Sequence, residues 1–153
     1  MTDSGLMVRR VGAVRREVVA SPGYLAAHGT PLTPGDLSGH ATIVSASRGG
    51  LLEWRFRDGG RERVVRLTPR LLVNDIEAML VAARSGFGVV RALSYQVVEE
   101  LKAGSLVRLL ADFEPVAEPV QLVFAGGGMM RPAVRAFVEF AAVYLARLGV
   151  VRG

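Results

Sequence analysis

Hydrophobic and polar positions change most abruptly in "LLVNDIEAMLVAARSGFGVVRAL", residues 71–93. An apolar run stops at Asn74-Asp75, after which Ile76, Met79, Leu80 and Ala83 recur at the spacing of one helix face. Gly86-Phe87-Gly88 interrupts that spacing and a second apolar run follows. The pattern therefore predicts a strand, a helix over 76–84 and another strand. The polar pair has a structural explanation, because Asn or Asp at a helix start accepts from otherwise unpaired backbone N–H groups, worth about 1 kcal/mol. It also stands where a strand gives way to a helix, the turn at which α/β proteins tend to bind small molecules. On the residues alone, capping and capping with ligand contact both stay open.

Apolar runs and breakers continue to alternate along the rest of the chain. Residues 14–20, "VRREVVA", read as a strand stopped by Pro22; Ser21 caps a short helix that ends before Gly29. "ATIVSA" at 41–46 is a short buried strand. Two alternating runs, 52–57 and 62–68, flank Asp58-Gly59-Gly60, a hairpin signal that puts Trp54 and Phe56 on one face and Glu53, Arg55 and Arg57 on the other. "GVVRAL" predicts a strand, and "SYQVVEELKAG" a helix capped by Ser94 and stopped by Gly104. "SLVRLLADFEP" and "EPVQLVFAG" are strand-like. The longest helix is "RPAVRAFVEFAAVYLARLG", with Val134, Phe137, Val138, Ala141 and Leu145 in one stripe. Strands alternating with helices imply an α/β fold with a largely parallel sheet.

Composition narrows the class. A chain of 153 residues holds one ordinary domain, or one domain plus fragments of another. Half of it is hydrophobic and the mean hydropathy is +0.33, enough for a real core. The absence of cysteine removes disulfides, thiolate metal sites and a cysteine nucleophile. No apolar run reaches the ~18 residues of a membrane span, and residues 1–10 lack the apolar segment of a signal peptide. The expectation is a soluble, cytoplasmic protein. The net charge is +5, from 19 Lys+Arg against 14 Asp+Glu, with Lys102 the only lysine. The arginines are scattered rather than gathered in a stripe, which reads as a solvated surface and not as a nucleic-acid footprint.

Catalytic chemistry is sparse. His28 and His40 stand beside Gly29 and Gly39 in turn contexts, where a structural role is expected. No G-x-S-x-G elbow or G-x-x-x-x-G-K-S/T loop occurs, and "GFG" lacks a dinucleotide-binding context. The carboxylates Asp75, Glu77, Glu99, Glu100, Asp112, Glu114 and Glu118 form no acid/base pair. No enzyme activity, cofactor or metal is expected. "AGGGMMRP" at 125–132 is either a flexible crossover or a glycine-rich anion site before a helix.

Taken in order, "VASPGYLAAHGTPLTPGDLSGH", "WRF", "RLLVNDIEAMLVAARSGFGVVRALSYQVVEELKAGSLVRLLADFEP" and "VQLVFAGGGMMRPAVRAFVEF" form a recognisable series. The series resembles the effector-binding region of LysR-type transcriptional regulators, over about residues 5–146. Each block is weak alone; "ASPGYL", "VND" with its following helix, and "RPAVRAFVEF" are strong together. The resemblance implies a fold like the type 2 periplasmic binding proteins, with a mixed sheet flanked by helices. It also implies a small-molecule effector, an organic or aromatic acid, held between two lobes, in a protein that assembles as an oligomer. DNA would be bound only through an N-terminal helix-turn-helix, with no membrane partner.

This chain departs from that pattern in lacking the helix-turn-helix, the linker helix and most of lobe I, so a truncated regulator, a dissected piece or a late start codon is expected. Residues 1–20 then correspond to a remnant of lobe I and the first crossover, 21–120 to lobe II, and 121–153 to the second crossover and a helix returning to lobe I. With lobe I largely missing, the stripe on the last helix is expected to be exposed and to drive self-association. Carried over residue by residue, the effector-facing positions are Ser45, Ala46, Ser47, Val73, Asn74, Asp75, Phe87 and Gly88, and the hinge positions are Ala20, Ser21, Phe124 and Ala125. A different class, a stand-alone small-molecule carrier of the same fold, is the alternative.

Overall fold

The structure is a computed structural model that describes residues 5–46, 52–125 and 131–147. In chain order the elements are β1 (Leu6–Val14), β2 (Arg16–Ala20), α1 (Pro22–His28), β3 (Thr42–Ser45), β4 (Glu53–Asp58), β5 (Arg61–Arg66) and β6 (Pro69–Val73). There follow α2 (Ile76–Arg84), β7 (Val89–Leu93), α3 (Val98–Ala103), β8 (Val107–Leu109), β9 (Glu118–Ala125) and α4 (Pro132–Arg147). They divide into two units, Arg15–Val116 and a smaller one of Met1–Val14 with Ala117–Gly153.

The larger unit is built on a five-stranded sheet in the order β6-β3-β7-β2-β8. Its central strands are apolar at successive positions because both faces are covered. Val18, Val44 and Val89 face one core with Tyr24, Leu37, Trp54 and Phe56. Val19, Ile43 and Val90 face the other with Met79, Leu80, Ala83 and Leu106. Each such side chain, fully buried, contributes roughly 1.5–3 kcal/mol. The β4–β5 hairpin closes the first core from outside, and α2 closes the second. Ser21 Oγ accepts the Tyr24 N–H at 3.0 Å at the start of α1, as its sequence position predicts.

The sheet is mixed rather than largely parallel. β3 runs parallel to β6 and β7, but β2 is antiparallel to both β7 and β8. Ser94 does not cap a helix: residues Ser94–Gln96 form a 3₁₀ turn, and the serine hydroxyl instead accepts the Arg15 N–H at 3.1 Å. Gly104 does stop α3, in the left-handed conformation (φ 76°) that suits glycine. "SLVRLLADFEP" yields only the three-residue β8, because Leu110 adopts a left-handed φ of 56° and turns the chain.

In the smaller unit β1 and β9 pair antiparallel with a bulge between Arg10 and Gly12. The helix α4 contacts β1, with Val138 buried and Val134, Ala141 and Leu145 half-buried. An ion pair between Arg9 and Glu139 joins the two elements. The apolar stripe is therefore mostly turned inward; of its members only Phe137 stays exposed.

The change of unit falls between Val14 and Arg15 and between Val116 and Ala117. Pairing sets this change: β1 follows β9 as far as Val14 opposite Glu118, while Arg16 already pairs with Leu93 of β7. Ala20 and Ser21 are buried within the larger unit, and Phe124 and Ala125 pair with Met7 and Leu6 at the far end of the ribbon.

Candidate functional site

Because β3 is parallel to both β6 and β7, their carboxyl ends at Ser45, Val73 and Leu93 lie along one edge of the sheet. Helix α2 starts from the same edge. Asp75 is its N-cap, with Oδ2 accepting the Ala78 N–H at 3.3 Å. A cleft of about 440 Å³ opens here, in the position where open α/β sheets receive ligands.

Its walls combine three chemistries. Ser45, Asn74 and Gln96 supply neutral polar groups, and Ile43, Ile76, Met79, Ala92 and Leu93 supply apolar surface. Arg16, Arg55 and Arg91 supply cations, with Glu53 and Trp54 beside them. The β2–β7 register sets Val18 opposite Arg91 and Arg16 opposite Leu93. Arg16 and Arg91 are thus diagonal neighbours on one sheet face. The Arg91 guanidinium lies 5.5 Å from the Trp54 ring centre and 5.6 Å from that of Phe56, and its Nη1 donates to the Arg55 carbonyl at 2.8 Å. Arg55 is held by Glu62 and, at 3.8 Å, by Glu53. Guanidinium forks on rigid strands suit a planar carboxylate, and the adjoining apolar surface suits the body of a small organic molecule.

Of the effector-facing positions expected from sequence, Ser45 and Asn74 line this cleft. Asp75 is not among the lining residues and serves as the cap of α2. Val73 packs toward the second core and its carbonyl accepts the Ala46 N–H at 2.8 Å. Ser47 lies outside the described residues, as do residues 126–130 of the glycine-rich segment. Phe87 and Gly88 are not brought to this edge. They precede Val89, which pairs with Thr42 at the amino end of β3, the opposite end of the sheet. Gly88 is needed there for packing, since a Cβ would stand 2.5 Å from the Ala41 carbonyl oxygen. Arg70 stacks over the Phe87 ring at 4.7 Å.

Arg16, Trp54, Arg55, Arg91, Met79 and Gln96 were not among the expected positions. Arg91 carried one legible signal, a cation inside the apolar run "GVVRAL". Its meaning depends on strand register, which local pattern does not reveal. The two histidines have structural surroundings: the Tyr24 hydroxyl is bonded to His40 Nδ1 at 2.8 Å, and the His28 ring stacks on Tyr24 at 4.5 Å. Among the described residues no cluster of His, Asp and Glu has the geometry to hold a metal ion. No helix among them is long and apolar enough to cross a membrane.

A mixed α/β sheet with a polar and apolar cleft at the carboxyl edge of its parallel strands is an architecture like that of the periplasmic binding proteins. The chain belongs to the LysR substrate binding domain family, whose model matches residues 2–145. It is 31% identical over 144 residues to an HTH-type transcriptional regulator of Xanthomonas campestris pv. campestris, covering 92% of this chain and 42% of that protein. It is 29% identical to the regulator CrgA of Neisseria meningitidis serogroup B, covering 92% and 47%. The chain thus spans less than half the length of these relatives.

Among solved structures, it is similar to the regulatory domain of AphB from Vibrio vulnificus, with TM-score 0.80, 26% identity, 94% of this chain and 71% of that one. It is also similar to the CrgA regulatory domain, with TM-score 0.74, 29% identity, and 95% and 72% coverage. The family resemblance read from the sequence blocks is borne out.

Proposed function

We propose that this chain is the effector-sensing part of a LysR-type transcriptional regulator, with Arg15–Val116 acting as lobe II and β1, β9 and α4 belonging to lobe I. The effector is an organic acid, bound by its carboxylate near Arg91 and Arg16 and by its apolar body against Ile76 and Met79. The observation that carries this reading is the composition of the cleft, where cations, neutral polar groups and apolar surface meet at one strand edge. DNA contact falls to a helix-turn-helix portion of the regulator, which places its action in the cytoplasm.

Titration of the isotopically labelled chain with benzoate, phthalate and succinate, against neutral benzamide, tests the assignment. Acid-specific chemical-shift changes are expected at Ser45, Asn74 and Arg91. Shifts confined to the opposite end of the sheet around Phe87, or none with any acid, would overturn it. In a regulator carrying this domain, the binding acid is expected to alter retention of its DNA in a gel-shift assay.

A further inference from the structure

Arg15, Glu17, Arg108 and Glu114 form a closed ring of two cations and two carboxylates inside the larger unit. Arg15 is the first residue of that unit, and Glu114 lies just before its last residue, Val116. Arg108 grips Glu114 as a fork, with Nε donating to Oε2 at 2.8 Å and Nη2 to Oε1 at 2.6 Å. Arg15 spans both acids, its Nη2 at 3.4 Å from Glu17 Oε1 and its Nε at 3.7 Å from Glu114 Oε1. Arg108 Nε completes the ring 3.8 Å from Glu17 Oε1. Both carboxylates are buried, with 4% and 7% of the side chain exposed.

This arrangement is poorly suited to stability alone. Glu17 Oε2 and Arg15 Nε are buried without a hydrogen-bond partner. Desolvating such groups offsets much of their mutual attraction, and apolar replacements often serve stability as well. The ring sets geometry instead, since a two-bond fork defines both distance and orientation. Two further features serve the same end. The left-handed Leu110, a conformation that L-residues rarely adopt, turns the chain after β8 so that Glu114 returns to Arg108. On the incoming side, Ser94 holds the Arg15 backbone from both directions, its Oγ accepting the N–H at 3.1 Å and its own N–H donating to the carbonyl at 2.8 Å.

We propose that Arg108 is a positioning residue that staples the incoming and outgoing segments of the larger unit to each other, through its fork on Glu114 and its contact with Glu17. The chain leaves this unit only through these two segments. Stapled together, the two segments keep one distance and orientation instead of moving as two independent strands. This inference stands apart from the effector assignment.

Hydrogen exchange by mass spectrometry on the 153-residue chain tests it. In Arg108→Gln, peptides over residues 11–17 and 111–118 are expected to exchange about ten-fold faster, while β3 and β7 keep their protection. Arg108→Lys, which retains charge but not the fork, is expected to behave like Arg108→Gln. Glu114→Gln, nearly isosteric, serves as the second variant with the same expected pattern. Unchanged exchange in both segments, a rise shared equally with β3 and β7, or wild-type behaviour of Arg108→Lys would each overturn the proposal.

Discussion

Asn74 and Asp75 are neighbours with separate tasks. The Asp75 carboxylate takes the Ala78 N–H at the start of α2, while Asn74 lines the cleft. Asp75→Ala is expected to lower the unfolding free energy by about 1 kcal/mol in urea denaturation, with the proposed acid binding retained. Asn74→Ala is expected to leave stability within about 0.5 kcal/mol while weakening the acid-specific titration. Tyr24 is buried in the sheet's first core. Burial is the main cause that pushes its phenol above the ordinary 10.0, opposed by the Ala41 N–H bond and by Arg70. The unfolded chain therefore releases this proton first. The contribution of the neutral phenol is fully present below pH 10.0 and is lost as pH rises through the higher folded value. Tyr24→Phe is expected to flatten that alkaline loss in unfolding free energies measured from about pH 9 to 11. At this scale the caps at Ser21 and Asp75 were legible, because a cap depends on its own side chain and the next three residues. The roles of Arg16 and Arg91 were not, because they depend on which strands lie side by side.

The hairpin of β4 and β5 shows how much an element can say for itself. Gly59 and Gly60 both take positive φ, 59° and 84°, as a two-residue turn between Asp58 and Arg61 requires. Alternation then places Trp54 and Phe56 inward, at 6% and 1% exposure, and Arg55 and Arg57 outward. Phe56→Ala is expected to cost about 3–5 kcal/mol through the cavity it leaves, and Arg57→Ala less than about 0.5 kcal/mol, both read from urea midpoints. α1, α2 and the stop at Gly104 were equally legible from local pattern. The antiparallel place of β2, the brevity of β8 and the Ser94 turn were not, since each follows from a partner distant in sequence.

Across the whole molecule, the exposed aromatic surface of α4 lies mostly beside the apolar stripe rather than on it. Val134, Val138, Ala141 and Leu145 turn inward, leaving Phe137, Phe140 and Tyr144 exposed, the last two stacked at 5.8 Å. The chain is expected to self-associate through this aromatic face. Light scattering at rising concentration should show mass growth that Phe137→Ser with Phe140→Ser abolishes; a monodisperse monomer throughout would count against it. What the amino-acid order determined on its own was the set of local elements, the apolar faces, the family of the fold and the polar cap that marks a strand end. Those depend on side-chain period and on turn chemistry within a few residues. Only the tertiary structure decided that Phe87 and Gly88 lie at the far end of the sheet from Asn74, and that Arg16, Arg55 and Arg91 line one cleft with it. It alone also joined Arg15 and Glu17 to Arg108 and Glu114 across some ninety residues of chain. Strand order and register set those distances, and they arise from long-range pairing that no local pattern encodes.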